Sequence, residues 1–120
     1  PVINLIGSIG PFSYFLLERT DNTTISDIVA DQTYAGALNN TCEKLRLRDN
    51  NGNIVDSVDC GADWYAGDNI TKSTMERINP AQPGANQSNW ATNNGLVTNG
   101  LDAAGIPIKG TPKSRNSITL

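Results

Sequence analysis

The most informative part of the sequence is TCEKLRLRDNNGNIVDSVDC, residues 41–60. The four residues 49–52 at its centre, Asp-Asn-Asn-Gly, have the composition of a type I turn followed by a left-handed glycine, which closes a three-residue hairpin loop with a β-bulge. Counting outward from a pair between Asp49 and Asn53 places Cys42 opposite Cys60. This is a non-hydrogen-bonded position, where facing Cα atoms are close enough for a disulfide.

The strands that flank the turn have a one-sided hydrophobic pattern. The same count places Leu47 opposite Val55 and Arg46 opposite Asp56. Because side chains alternate between the two faces of a strand, we expect Leu45, Leu47 and Val55 on an inner face. Arg46 and Asp56 then form an ion pair on the outer face.

A disulfide between Cys42 and Cys60 indicates an oxidising compartment, and therefore a secreted or cell-surface protein. A redox pair or a metal site would be the functional alternative. The chain has no histidine, and two cysteines alone cannot complete a tetrahedral zinc site. We therefore predict a structural disulfide.

Length and composition agree with an exported β protein. The chain has 120 residues, enough for one domain over 1–120. Charged residues make up 18%, below the average of about 25%, and fifteen asparagines and eleven threonines supply much of the polarity. A net charge of −3 gives no general attraction to nucleic acid, and no apolar run reaches the length of a membrane span. We predict no nucleic-acid partner and no membrane insertion.

Hydrophobic periodicity predicts strands and no helix. Apolar or alternating runs separated by Gly, Pro, Asn and Asp cover residues 2–7, 13–19, 33–38, 43–48, 53–58 and 73–78. The run 13–19, SYFLLER, is apolar on both faces, which predicts a strand in the middle of a sheet. Residues 79–120 are rich in Pro, Gly and Asn, and we expect long loops that wrap a sandwich edge, with a last hairpin at residues 102–105.

Six segments of the chain together resemble a known family. They are SYFLLERTDNTTISDIVADQTYAGALNN (13–40), LRLRDNNGNIVDSV (45–58), WYAGDN (64–69), STMERINP (73–80) and NWATNNG with NGLDAAGIPIKGTP (89–95, 99–112). In order and spacing they resemble the bacterial branch of the lamin-tail domain family. The resemblance implies an all-β, immunoglobulin-like β-sandwich over 1–120, of a kind found in nuclear lamins and in secreted or surface proteins of bacteria and archaea. In that family the domain is a binding or scaffolding element, often beside hydrolase, nuclease or adhesive modules.

The sequence departs from the family at two places. The family's first strands, including one that resembles W-I-E-L-Y-N, do not occur before Pro1. Three interpretations stay open: the chain is a fragment, another subunit supplies the strands, or a smaller fold closes without them. In the first two, the sandwich is incomplete and is completed by another segment or chain. At Cys42 the family usually has a small residue such as glycine, so the disulfide is an addition.

Carboxylates are the remaining candidates for acid–base catalysis, because histidine is absent. Glu18 and Glu76 each precede an arginine within an apolar strand, and a glycosidase needs two facing carboxylates in a cleft. An adjacent arginine lowers the pKa of a carboxyl group, which is the wrong direction for a general acid. We therefore expect these glutamates to be satisfied by arginine or by the backbone, and we predict no enzyme activity.

Three aromatic residues are candidate contacts to a ligand or partner: Trp64, Tyr65 and Trp90. They could stack on sugar rings or on a partner chain. Alternatively, Trp64 and Trp90 close the open ends of a sandwich, with their indole N–H groups bonded to loop carbonyls. We favour this second interpretation.

No cofactor is predicted; the alternative is a weak calcium site at one end of a sandwich. Its candidate ligands are Asp27, Asp31, Asp63 and Asp68. Four N-x-Ser/Thr triplets are candidate glycosylation sites, and chance also explains them in a chain so rich in Asn and Thr. They begin at Asn22, Asn39, Asn69 and Asn86.

We therefore expect a non-catalytic extracellular module with a structural or interaction role. It would belong to a cell-surface or extracellular assembly, including a fibre or filament. Its partners would be proteins, either copies of itself or neighbouring domains of a longer chain. The alternative is a carbohydrate-binding module, with a glycan partner, appended to a secreted hydrolase.

Overall fold

A computed structural model describes residues 1–120 as an all-β protein. Its strands are β1 (Leu17–Arg19), β2 (Gln32–Tyr34), β3 (Lys44–Arg48), β4 (Ile54–Asp59), β5 (Met75–Arg77) and β6 (Trp90–Thr92). They pair into three two-stranded sheets: β1 with β2 in parallel, and β3 with β4 and β5 with β6 antiparallel. One 3₁₀ turn, Gln87–Asn89, is the helical structure of the chain. It has neither the length nor the apolar character that a membrane-crossing helix needs.

The predicted runs differ from the observed strands at the N-terminus and near residue 90. Residues 2–7 were expected to form a strand, but their backbone groups pair with no other backbone group. Only the last three residues of the run 13–19 are strand, and β1 has a single neighbour, so the prediction of a mid-sheet position is wrong. Strand β6 lies within the stretch 79–120 that was predicted to be loop.

The β3–β4 hairpin closes with the predicted turn. The N–H of Asp49 donates to Asn53 O at 2.9 Å, and the N–H of Gly52 donates to Asp49 O at 3.0 Å. Gly52 has a φ of 84°, in the left-handed region that favours glycine. The Asp49 carboxylate accepts the N–H groups of Asn51 and Asn53, each at 2.9 Å. The local residues thus determine this turn.

The register of the hairpin changes one residue beyond the turn. Arg48 faces Ile54 as predicted, but a bulge at Val55 then places Leu47 opposite Asp56. The predicted pairs Leu47–Val55 and Arg46–Asp56 are therefore wrong, and Arg46 faces Ser57. The bulge turns the Asp56 carboxylate toward other partners, described below. It also leaves Val55 63% exposed and brings Val58, 8% exposed, to the inner side opposite Leu45.

The disulfide between Cys42 and Cys60 is present, with 5.8 Å between the two Cα atoms. The bond is confirmed, but the directly facing geometry predicted for it is not. The observed pairing ends at Lys44 opposite Asp59, so the disulfide lies just beyond the ladder and does not join a directly facing pair. Cys60 is 2% exposed and Cys42 is half-buried.

The last predicted hairpin is also confirmed. Leu101 and Pro107 form an antiparallel bridge, and the N–H of Asp102 donates to Ile106 O at 2.8 Å. The Asp102 carboxylate accepts from Ala104 N and Ile106 N, each at 2.9 Å. This hydrogen-bond pattern repeats that of the first turn, because both have the sequence Asp-x-x-Gly.

The interior of the protein is small and contains more polar than apolar side chains. The buried apolar residues are Ile25, Val58 and Cys60, and the buried polar residues are Glu18, Glu76, Asn89, Asn93 and Thr111. Side-chain hydrogen bonds, rather than a large apolar core, connect the segments around β5.

Candidate functional site

The N-terminal segment, residues 2–9, is an exposed apolar stretch. Val2 is 93% exposed and Ile6 79% exposed, and no charged side chain occurs before Glu18. The backbone of this segment makes no bond to any other backbone group. Uncharged apolar strands with unpaired backbone groups are the typical template for pairing with another chain.

The side chain of Gln32, on β2, holds this segment in place. Its amide nitrogen donates to Asn4 O at 2.9 Å, and its amide oxygen accepts from Ile6 N at 2.9 Å. The two bonded groups are two residues apart, which is the spacing of one edge of a β-strand. Gln32 therefore occupies the edge formed by the even-numbered residues, and the opposite edge has no hydrogen-bond partner.

Two grooves adjoin the N-terminal segment and share Ile3, Leu5 and Leu47 in their walls. The first, which we call the hairpin groove, has a volume of about 650 Å³. Its walls are residues 3–9, Phe15, residues 47–50 and Val55. The second, which we call the sheet groove, has a volume of about 440 Å³ and is lined mainly by Pro1, Ile3, Leu5, Leu17, Tyr34, Leu38, Leu45 and Leu47. Because β3 pairs only with β4, its other edge is free beside these grooves.

Glu76, on β5, is a buried carboxylate with four hydrogen-bond donors. Oε1 accepts from Asn93 Nδ2 at 2.7 Å and Thr111 Oγ1 at 2.9 Å, and Oε2 accepts from Ser117 N at 2.8 Å and Ser117 Oγ at 2.6 Å. Burial acts to raise the pKa of Glu76, but the bonds from Asn93, Ser117 and Thr111 outweigh it and lower the pKa below its ordinary value. Glu76 therefore joins three distant segments as a charged group.

Glu18, on β1, is buried to 3% exposure, and neither carboxylate oxygen has a hydrogen-bond partner within the chain. The expectation that it would be satisfied by an arginine or by the backbone is wrong. For Glu76 the expected backbone donor is present, because the N–H of Ser117 donates to its carboxylate. Arg77 pairs with Asp56 and not with Glu76. Glu18 and Glu76 lie on strands of different sheets. An unpartnered buried carboxylate is costly, so Glu18 marks a place where the fold lacks a donor.

Arg77 connects the hairpin to the β5–β6 sheet. Its guanidinium forms an ion pair with Asp56 and lies over the ring of Trp90, 4.9 Å from the ring centre. Asp56 also accepts from Gly84 N at 3.0 Å, and Trp90 Nε1 donates to Gly84 O at 2.7 Å. Burial acts to raise the pKa of Asp56, but the bonds from Arg77 and Gly84 outweigh it and lower the pKa. The Val55 bulge turns the Asp56 carboxylate toward Arg77 and Gly84, and these contacts hold it there.

The three candidate aromatic residues each bind a different carbonyl. Trp64 Nε1 donates to Asn39 O at 3.0 Å, and Tyr65 Oη donates to Asp59 O at 2.6 Å. Trp90 is held by Gly84 and Arg77, as described above. The indole bonds to loop carbonyls that we predicted are present. A role of these residues in ligand or partner contact stays a prediction.

The four candidate calcium ligands have other partners or stay apart. Asp27 accepts from Leu101 N at 2.7 Å, and Asp31 pairs with Lys113 at 2.8 Å. Asp68 accepts from Ile70 N and Thr71 Oγ1, while Asp63 is exposed. No three side chains of metal-ligating type are grouped in the chain.

The asparagines of all four N-x-Ser/Thr triplets, Asn22, Asn39, Asn69 and Asn86, are exposed. Asn39 and Asn86 each accept hydrogen bonds from the backbone N–H and hydroxyl of the Thr or Ser two residues later. Asn86 thereby caps the 3₁₀ turn. Glycosylation of these sites stays a prediction.

Comparison of the chain with protein-family models, with curated proteins and with solved structures found no match. The lamin-tail resemblance therefore stays a prediction.

Several residues that organise these sites were not recognised in the sequence. The most important are Gln32, Asn93 and Ser117. Each contacts a group many residues away: Gln32 bonds to Asn4, 28 residues distant, and Ser117 to Glu76, 41 residues distant. The one signal that could have indicated any of them is the high content of asparagine, fifteen residues, in segments with little regular structure.

Proposed function

We propose that this protein is a non-catalytic structural and interaction module of an extracellular assembly, in which a neighbouring polypeptide covers the two grooves beside the N-terminal segment. The main observation in support of the proposal is the large solvent-exposed surface area of the chain. The chain exposes 8047 Å², whereas a folded monomer of 12.8 kDa is expected to expose about 6,300 Å². The excess of about 1,800 Å² is roughly twice the area of about 800 Å² that one partner contributes to a standard protein–protein interface.

The character of the excess surface supports a protein partner. Large apolar side chains are exposed along the N-terminal segment and the grooves, among them Val2, Ile6, Ile9 and Val55. Apolar patches of this kind typically mark interaction surfaces. The free edge of β3 offers backbone groups to an added strand, a common mode of protein recognition.

The proposal also includes a location outside the cell and an immunoglobulin-like fold. The Cys42–Cys60 disulfide supports a secreted or cell-surface location. The all-β fold and the residues that resemble the lamin-tail family support an immunoglobulin-like sandwich that another segment or chain completes. Covering the grooves would supply the strands that such a sandwich needs.

A non-catalytic role is supported by Glu76. Its four donors lower its pKa and stabilise the carboxylate, whereas a general acid needs a raised pKa. Its buried position gives it the role of a structural connection.

The proposal is tested by sedimentation velocity of the purified chain, without reductant, over a range of concentrations. We expect species larger than 12.8 kDa, and we expect Leu47→Asp, in the walls of both grooves, to abolish them. Leu96→Asp is the matched control, because Leu96 is 88% exposed and lines neither groove. A monomer at every concentration contradicts self-assembly, and binding of immobilised polysaccharide that is lost in Trp64→Ala or Trp90→Ala would favour the carbohydrate-binding alternative.

A further inference from the structure

The chain contains three Asn-Gly dipeptides, and the fold gives them different surroundings. In such a dipeptide the asparagine side chain can react with the next backbone nitrogen, because glycine has no side chain to obstruct the approach. The reaction needs an asparagine amide that is free to move and a glycine nitrogen that it can reach. The three dipeptides are Asn51-Gly52, Asn94-Gly95 and Asn99-Gly100.

Hydrogen bonds hold the second dipeptide at both reacting groups. Asn94 Oδ1 accepts from Leu96 N at 2.9 Å, and Asn94 Nδ2 donates to Ser117 O at 3.1 Å. The N–H of Gly95 donates to Asn93 Oδ1 at 2.8 Å. Both ends of the Asn94 amide are therefore engaged, and these bonds must break before the amide can turn toward Gly95.

A hydrogen bond and close packing hold the third dipeptide. Asn99 Nδ2 donates to Pro112 O at 2.8 Å. Gly100 is crowded, because a Cβ atom at this position would lie 3.1 Å from Ile25 Cγ2 and 3.3 Å from Ile28 Cδ1. The backbone therefore has little room to rearrange around a ring that joins the two residues.

The first dipeptide has neither restriction. Asn51 is exposed, and its only hydrogen bond is made by its backbone N–H, which leaves the side-chain amide free. A Cβ atom at Gly52 would meet nothing within 4 Å. The N–H of Gly52 donates to Asp49 O at 3.0 Å, but this bond lies in an exposed turn at the tip of a hairpin, where local opening costs little.

We propose that Asn51 is a site of spontaneous deamidation. The Gly52 nitrogen loses its proton to a solvent base and attacks Asn51 Cγ. The Cγ–Nδ2 bond breaks, the amide nitrogen leaves as ammonia with a proton from water, and a cyclic imide (a succinimide) joins the two residues. Water then opens the ring: cleavage at Cγ gives aspartate, and cleavage at the backbone carbonyl carbon gives isoaspartate. The net reaction consumes water and releases ammonia.

The isoaspartate product alters the β3–β4 hairpin. The main chain then passes through Cβ and Cγ of residue 51, which lengthens a loop whose bulge depends on its residue count. A new carboxylate also lies beside that of Asp49, which accepts the N–H of Asn51 at 2.9 Å. Asp49 and Asn50 line the hairpin groove and Asn51 lines neither groove, so the reaction changes one wall of a groove while its own site stays accessible.

Peptide mapping of the full 120-residue chain after incubation at mildly alkaline pH tests the inference. Mass spectrometry detects the exchange of amide for acid, and chromatography separates isoaspartate from aspartate. In the folded protein we expect Asn51 to convert at least about tenfold faster than Asn94 or Asn99, the rate effect of one retained hydrogen bond. The rate should rise with pH, because the Gly52 nitrogen must lose a proton.

Urea-unfolded protein is the control for the fold. Without the bonds to Asn94 and Asn99, the three sites should convert at similar rates. Equal rates at the three sites in the folded protein would overturn the inference, and so would conversion of Asn51 that occurs only in urea. The inference does not depend on an assembly partner, so the sedimentation result leaves it unaffected.

The matched variant for the structural consequence is Asn51→Asp, which has the added charge without the added backbone carbon. We expect protein enriched in isoaspartate at residue 51 to unfold at a lower urea concentration than this variant. Equal urea midpoints would overturn the loosening of the hairpin.

Discussion

The carboxylate of Glu76 accepts two hydrogen bonds from Ser117, one from its backbone N–H at 2.8 Å and one from its hydroxyl at 2.6 Å. This pair fastens the C-terminal residues to β5 across 41 positions of the chain. The other carboxylate oxygen holds Asn93 and Thr111, so one buried side chain fixes three segments that contain little regular structure. Where the apolar core is small, such a connection carries much of the tertiary structure.

Replacing Glu76 should destabilise the protein and change its response to acid. Because its pKa is lowered in the folded state, the stabilisation is present above the ordinary glutamate pKa and is lost as the pH falls through the lower folded-state pKa. Glu76→Gln places an amide N–H₂ against donors and should cost about 1–3 kcal/mol at pH 7. Urea unfolding from pH 7 to pH 3 should show a shallower loss of stability in the variant. Parallel curves for variant and wild type would contradict the lowered pKa.

Gly84→Ala should be strongly destabilising. A Cβ atom at this position would lie 2.6 Å from Ser57 O and 2.8 Å from Asp56 Oδ1, and would also meet the Arg77 guanidinium. Overpacking against backbone costs about 1–3 kcal/mol, and here it also disturbs an ion pair. Thermal unfolding measures the effect, with Gly61→Ala as control because its Cβ would meet nothing within 4 Å. Equal melting temperatures for the two variants would refute the close approach.

Removing the disulfide should lower stability without changing the fold. Cys42 and Cys60 are 18 residues apart, for which the chain-entropy description gives about 3 kcal/mol. We expect reductant to lower the urea midpoint of the wild type and to leave the Cys42→Ser/Cys60→Ser variant unchanged. Free labelling of both thiols in unreduced, denatured protein would show that the bond is absent.

The two Asp-x-x-Gly turns should respond alike to the loss of their aspartate. Asp49 and Asp102 each accept two backbone N–H groups, so Asp49→Ala and Asp102→Ala should each cost about 0.5–2 kcal/mol, as the loss of a capping side chain does. Chemical denaturation gives both values. A neutral effect at one site only would show that the two turns differ in strength.

These turns also show which parts of the fold could be predicted from sequence. Each is determined by residues within five positions, so Asp49 and Gly52 specify it without help from the rest of the chain. The bulge at Val55 could not be predicted, because it depends on the contacts of Asp56 with Arg77 and Gly84, which are 21 and 28 residues away. Strand β6 was missed because its three residues have no clear alternation and its partner is β5.

The candidate sites, like the fold, could be predicted from sequence only where they depend on local residues. Glu18 and Glu76 stood out as carboxylates within apolar strands, but the sequence could not show that one has four donors and the other none. The strand pattern of residues 2–7 was visible in the sequence. Its lack of a partner, and the role of Gln32 in holding it, depend on the three-dimensional arrangement.

The Gln32 amide also decides how many neighbours the N-terminal segment can have. A strand with two open edges can add copies on both sides and grow without limit, whereas a strand with one edge sealed stops at a pair. Gln32 therefore occupies part of one edge of the segment and leaves the other edge as the place where a further strand could pair. Exchanging Gln32 for leucine would remove both hydrogen bonds to the segment and leave its two edges equally open.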